Sequence, residues 1–154
     1  MSTHYFVDAN HAGDTETRQS QTGILLFYNS APIICFSKRQ KLFEASTFGS
    51  KFTAMQNAVE IIEAFRYKLR MFGVTIDGST NIFCDNGAVC VNTTQTELTL
   101  SKKHHNIAYH CAKGAVTAGT SRVSKKHTLT NLYDLSTNPI TSPKRERLLD
   151  KFTY

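Results

Sequence analysis

Three aspartates are the residues of this chain best suited to chemistry: Asp8 in Tyr-Phe-Val-Asp-Ala-Asn, Asp85 in Ile-Phe-Cys-Asp-Asn and Asp134 in Asn-Leu-Tyr-Asp-Leu. The first two each end an apolar, strand-like run, and the third opens a short helical one. Adjacent strands stand only about 4.8 Å apart, so carboxylates at strand ends are well placed to converge. A converged set repels itself unless it binds cations, and hard oxygen ligands with open positions suit Mg2+ or Mn2+. Two such ions about 3.5–4 Å apart activate a water and stabilise the leaving oxygen in phosphodiester hydrolysis. Taken singly, each aspartate reads more simply as a turn or cap residue, and spacing alone does not overturn that.

The elements that must position these carboxylates follow from periodicity. A strand is expected over 4–10, then an almost continuous apolar strand over 22–28 that turns through Asn29-Ser30-Ala31-Pro32 into a third over 33–37. Phe48, Phe52, Met55, Val59, Ile62 and Phe65 repeat at helical spacing, with Ser46-Thr47 as N-cap and Gly73 closing the C-terminal end. A strand over 80–84 delivers Asp85, and a short helix is expected over 87–92. A second long helix over 102–117 has Ile107, Cys111 and Ala115 on one side. A brief strand over 121–124, a short helix over 130–136 and a basic terminal helix over 144–152 complete the chain. Hairpin strands followed by alternation predict an α/β fold: a five-stranded mixed sheet with helices on both faces.

The 154 residues suit one domain, expected over 4–153, with a basic tail over 139–154 belonging to it. A formal charge of +6 favours polyanionic partners. The four cysteines form no CxxC pair, and no Cys/His cluster has zinc-ligand spacing. No apolar stretch is long enough for a membrane span and no signal peptide precedes the first strand. The expectation is an intracellular monomer, cytoplasmic or nuclear, with no membrane partner.

Eight ordered segments resemble one family: Val-Asp-Ala-Asn-His-Ala-Gly-Asp at 7–14, Thr22-Gly23, Ala-Pro-Ile-Ile at 31–34, Ser-Lys-Arg-Gln at 37–40, Glu-Ala-Ser-Thr-Phe-Gly-Ser at 44–50, Cys-Asp-Asn at 84–86, Ser-Lys-Lys-His at 101–104 and Thr-Asn-Leu-Tyr-Asp-Leu at 130–135. Together they resemble the ribonuclease H domain that ends the polyprotein of copia-type retrotransposons. The resemblance implies an RNase H-like fold that, in active relatives, cuts the RNA strand of an RNA–DNA hybrid with two metal ions. It also implies a reverse transcriptase domain as partner in the same polyprotein. Carried over by position, Asp8 bridges both metals, Asp85 serves the first and Asp134 the second.

One departure stands out. Relatives carry a glutamate after Ser-Thr-Phe-Gly-Ser, where this chain has Lys51. Phe48, Met55, Ala58 and Ile62 are apolar and lie three to four residues from 51 or from one another along the helix, so residue 51 borders the buried face and its ammonium must snorkel outward or find a carboxylate. Four carboxylates balance two divalent ions, whereas three carboxylates and one ammonium suffice for one. At an effective dielectric near 20, a +1 and a +2 charge 5 Å apart repel by about 6–7 kcal/mol. At most one weakly held Mg2+ or Mn2+ is therefore expected, with Lys51 clamping Asp8 and Asp85 as an internal counter-ion. Gly87, Asn106, Tyr133 and Asn138 also depart from the family pattern, and Tyr133 adds a bulky ring beside Asp134. Impaired hydrolysis of RNA in hybrids is one reading. The alternatives are a catalytically dead nucleic-acid-binding pseudo-nuclease, or a relic lacking the polymerase that normally precedes this domain.

His127 lies before Asp134, where some ribonucleases H carry a mobile histidine that assists proton transfer; a solvated loop histidine is the simpler reading. His104, His105 and His110 read as surface and packing residues. Hybrids are read by backbone shape and 2′-hydroxyl contacts, which need scattered cations and polar groups. Lys38, Arg39, Gln40, Asn86, Lys102 and Lys103 are the expected contacts, and Lys125-Lys126 and Lys144-Arg145 are further basic clusters.

Overall fold

The computed structural model describes residues 3–12, 16–29, 31–41, 46–94 and 103–126, together with Pro143 and Glu146, which are helical. The side chains of 103–106 are not among them. Five strands form one sheet: β1 (Thr3–Asn10), β2 (Gln21–Tyr28), β3 (Ala31–Arg39), β4 (Thr80–Cys84) and β5 (Ser121–Lys125). Its order is β3-β2-β1-β4-β5, antiparallel across the first three strands and parallel where β1 meets β4 and β4 meets β5. The mixed sheet is thus as expected.

The run Ile24-Leu25-Leu26-Phe27 is apolar at every position because β2 is covered on both faces. Asn29, at φ 47°, supplies the left-handed residue that a two-residue hairpin needs before β3. β3 begins at Ala31 rather than at the expected residue 33. Pro32 pairs with Phe27 while Ile34 pairs with Leu26, leaving Ile33 as a bulge. A proline is tolerated in this ladder because β3 is an edge strand and irregular there.

Helix α1 (Thr47–Met71) has the caps its sequence announces. Ser46 Oγ accepts from the Gly49 amide at 3.1 Å. At the far end Gly73 adopts φ 73°, the Gly73 amide reaches the Arg70 carbonyl at 2.9 Å and the Val74 amide reaches Leu69 at 3.0 Å. That double bond is a Schellman closure. Phe52, Met55, Val59 and Ile62 are buried against Tyr5 and Val7 of β1 and Ile24 and Leu26 of β2.

Helices α2 (Gly87–Thr94) and α3 (Lys103–Thr117) join the same core through Val89, Cys90, Ala108, Tyr109, Ala112 and Ala115. Of the three residues expected on one side of α3, Ala115 is buried and Cys111 packs against the core, whereas Ile107 is 70% exposed and Ala108 is buried instead. Alanines at 108, 112 and 115 let α3 approach α1 closely beside Ala54 and Ala58, with Tyr109 filling the gap at Phe52, ring centroids 6.2 Å apart. A branched side chain at 107 has no room in so narrow a seam.

Helices α1, α2 and α3 pack on this one face. The opposite face carries buried Phe6, Leu25 and Phe27, with Phe83 at 5.3 Å from Phe6. The helices expected over 130–136 and 144–152 fall outside the described residues, Glu146 excepted. No described helix is long and apolar enough to cross a membrane.

Candidate functional site

The parallel register of β1 and β4 decides where the first two aspartates meet. His4 pairs with Asn81, Tyr5 with Ile82 and Phe6 with Phe83, so the same offset sets Asp8 abreast of Asp85. Both therefore stand at the carboxyl-terminal edge of the two central strands. Asp8 is 4% exposed.

The first turns of α1 bring the third member. Lys51 Nζ donates to Asp85 Oδ1 at 2.5 Å and to Asp8 Oδ1 at 3.3 Å. Its side chain is only 15% exposed, against 3% for Asp8 and 14% for Asp85. Burial works against the Lys51 charge, but the hydrogen bond to Asp85 and the charges of both aspartates outweigh it and hold the ammonium above its ordinary pKa.

Gln40 fixes the height at which α1 starts. Its Nε2 donates to Thr22 Oγ1 at 2.9 Å and to the Ser50 carbonyl at 2.7 Å, and its backbone amide reaches the Ser20 carbonyl at 2.8 Å. One buried side chain thus ties the start of β2 to the helical turn that carries Lys51. Gln40, expected as a nucleic-acid contact, borders the same cleft as Lys38 and Arg39, but it is 4% exposed and its side-chain donors are engaged by Thr22 and Ser50. Sequence offered a weak signal at most, a polar residue closing a basic loop.

Asn86 also has an internal task. Its Oδ1 accepts from the amides of Ala88 at 2.9 Å and Val89 at 3.2 Å, which makes it the N-cap of α2. Lys38 and Arg39 are exposed at the end of β3. With Lys41 they line a cleft of about 390 Å³ whose other wall is Thr53, Asn57 and Glu60 of α1. Lys125 stretches along Gly87, its Nζ 3.5 Å from where a Cβ would stand, so its chain occupies space beside a residue that carries no side chain of its own. Lys126 lies over the Phe6 and Phe83 rings, 4.9 and 4.7 Å from their centroids.

A feature without a sequence signal is the contact between Cys84, the last residue of β4, and Cys90 in α2, with sulfurs 2.8 Å apart. The hydrogen bond to Cys90, together with burial, pushes the Cys84 thiol well above its usual range. Asp134, His127, Tyr133, Asn138 and Lys102 lie outside the described residues, as do the side chains of Lys103 and Asn106. Among the described residues no group of three His, Cys, Asp or Glu side chains is placed to hold a metal ion.

The chain is 26% identical over 140 residues to the retrovirus-related Pol polyprotein from transposon RE2 of Arabidopsis thaliana, a match covering 91% of this chain and 10% of the relative. Among solved structures, RNase H1 from the archaeon Halobacterium salinarum superposes with a TM-score of 0.62 at 13% identity, over 97% of this chain and 98% of that one. The chain is a homologue of copia-type retrotransposon Pol polyproteins and has the ribonuclease H fold. This RNase H-like domain spans about 10% of the length of the relative it matches. LC11-RNase H1, solved in complex with an RNA/DNA hybrid, has the same fold, with a TM-score of 0.58 at 14% identity over 84% of this chain and 88% of that one. No known family's profile matches the chain.

Proposed function

We propose that this RNase H-like domain binds nucleic acid of RNA–DNA hybrid type while hydrolysing it poorly, because Lys51 has replaced the first divalent ion. The observation that carries this reading is the pair of contacts from the Lys51 ammonium to Asp85 at 2.5 Å and Asp8 at 3.3 Å. Those oxygens are the ones a first metal would need.

The residues present do not fit that ion. A divalent cation on Asp85 Oδ1 would sit within about 5 Å of the ammonium, where repulsion is on the order of 6–7 kcal/mol at an effective dielectric near 20. Binding would require Lys51 to leave two carboxylates it already neutralises in part. This donor set is therefore unsuited to two-metal hydrolysis, and Asp8 and Asp85 act here as partners of Lys51.

Support for nucleic-acid binding comes from charge and shape. The chain carries a net +6, and Lys38, Arg39 and Lys41 line one cleft at the end of β3. Scattered cations of this kind suit a ligand read through its phosphates and 2′-hydroxyls. LC11-RNase H1 holds such a hybrid on the same fold. The match to about a tenth of a Pol polyprotein supports a reverse transcriptase segment as its partner in a longer chain.

The test is hybrid cleavage in Mg2+ and in Mn2+ by the native chain and by Lys51→Glu, alongside fluorescence-polarisation titrations at low salt. The native chain is expected to bind hybrid in preference to duplex DNA and to cut it far more slowly than Lys51→Glu. Equal cleavage rates contradict the role given to Lys51, and equal affinities for hybrid and duplex DNA contradict the binding role. A Lys51→Glu chain that binds Mn2+ yet stays inactive assigns the defect to Tyr133 or Gly87.

A further inference from the structure

We infer that Cys84 and Cys90 form a reversible redox modification site, closing to an intramolecular disulfide when a hydroperoxide reaches them. This holds whatever the basic cleft binds. It rests on position: two free thiols, 5% and 9% exposed, with sulfurs 2.8 Å apart. Closing to a bond of about 2.05 Å asks the sulfurs to move by less than about 1 Å. The pair is already aligned by secondary structure. Cys84 ends β4, and the Cys90 amide is fixed to the Asn86 carbonyl at 3.2 Å in the first turn of α2.

The chemistry balances with hydrogen peroxide as the only co-reactant. The Cys90 sulfur, the more exposed of the two, attacks one peroxide oxygen; the O–O bond breaks, leaving a sulfenic acid and releasing water. The Cys84 sulfur then attacks the Cys90 sulfur, the S–S bond forms, the S–O bond breaks and a second water leaves with the Cys84 proton. Two electrons and two hydrogens pass from the thiols to the peroxide. A dithiol reductant reverses the step by exchange.

The location gives the bond a consequence. The ring it closes contains Asp85 and Asn86, the residue held by Lys51 and the cap of α2. Oxidation would fasten the strand end to the helix and fix the segment that presents Asp85. Cys35, exposed on β3, and Cys111, half-buried on α3, are internal controls.

The folded chain is treated with a small excess of hydrogen peroxide, quenched, unfolded, alkylated with N-ethylmaleimide and mapped by mass spectrometry. The peptide holding Cys84 and Cys90 is expected to lose two hydrogens and take no label, and dithiothreitol should restore both thiols to full labelling. A Cys35→Ser/Cys111→Ser chain, which keeps the pair intact, is expected to lose both remaining thiols without forming a dimer. Full labelling of Cys84 and Cys90 after peroxide, or their linkage to Cys35, Cys111 or a second chain, would overturn the inference.

Discussion

The ammonium of Lys51 and the carboxylate of Asp85 are joined at 2.5 Å although they lie on different elements, one in the second turn of α1 and the other just past β4. Asp8 completes the cluster from β1 at 3.3 Å. Helix and central strands are therefore cross-linked by charge at the edge of the sheet where the carboxylates gather.

Removing the cation should be costly. Lys51→Met leaves two mostly buried carboxylates facing each other, and loss of one member of a buried pair costs about 3 kcal/mol or more. The midpoint of urea unfolding at neutral pH is expected to fall accordingly. A midpoint within error of the native chain would mean that the contact contributes nothing.

The same pair fixes a pH dependence. The folded Lys51 pKa lies above its ordinary value, so its contribution is complete below about pH 10.4, the unfolded lysine value, and disappears as pH rises through the higher folded one. The stability gap between the native chain and Lys51→Met should stay constant from pH 7 to about 10 and narrow above it. A gap that closes between pH 7 and 9 would contradict the assignment.

Gln40 is predicted to matter for stability and not for ligand contact. Gln40→Ala removes the donors that satisfy Thr22 and the Ser50 carbonyl, at a cost of about 1–3 kcal/mol. Hybrid affinity of the folded fraction should change less than it does in Lys38→Ala, measured by polarisation at low salt. The reverse order would return Gln40 to the binding surface.

The narrow seam between α1 and α3 makes a paired prediction. Ala112→Leu should destabilise by about 1–3 kcal/mol through overpacking, while Ile107→Ala should stay within about 0.5 kcal/mol. Thermal unfolding of the two variants is the check.

Much of this was legible in the sequence because the signals were local. The caps of α1 at Ser46 and Gly73, the strand ending at Cys84 and the apolar β2 each follow from a few neighbouring residues. The nearness of Lys51 to the carboxylates was also legible, because residue 51 borders a buried helical face in a segment whose neighbours match relatives. What was not legible depended on tertiary detail. Ile107 looks as apolar as any core residue, and only the close approach of α1 and α3 turns it outward. Gln40 sits in a run of cations, and its inward turn follows from where Thr22 and Ser50 happen to meet it. The Cys84–Cys90 contact needs a strand end and a helix start folded back on each other, which neither cysteine announces.

The most direct measurement is a Mn2+ titration of the native chain and of Lys51→Glu, followed by isothermal calorimetry under identical salt and pH, with folding of both checked by circular dichroism. If the Lys51 ammonium stands in for the first divalent ion, Lys51→Glu should bind Mn2+ at least about tenfold more tightly, a difference of about 1.4 kcal/mol or more. Equal affinities in the two folded chains would contradict the account.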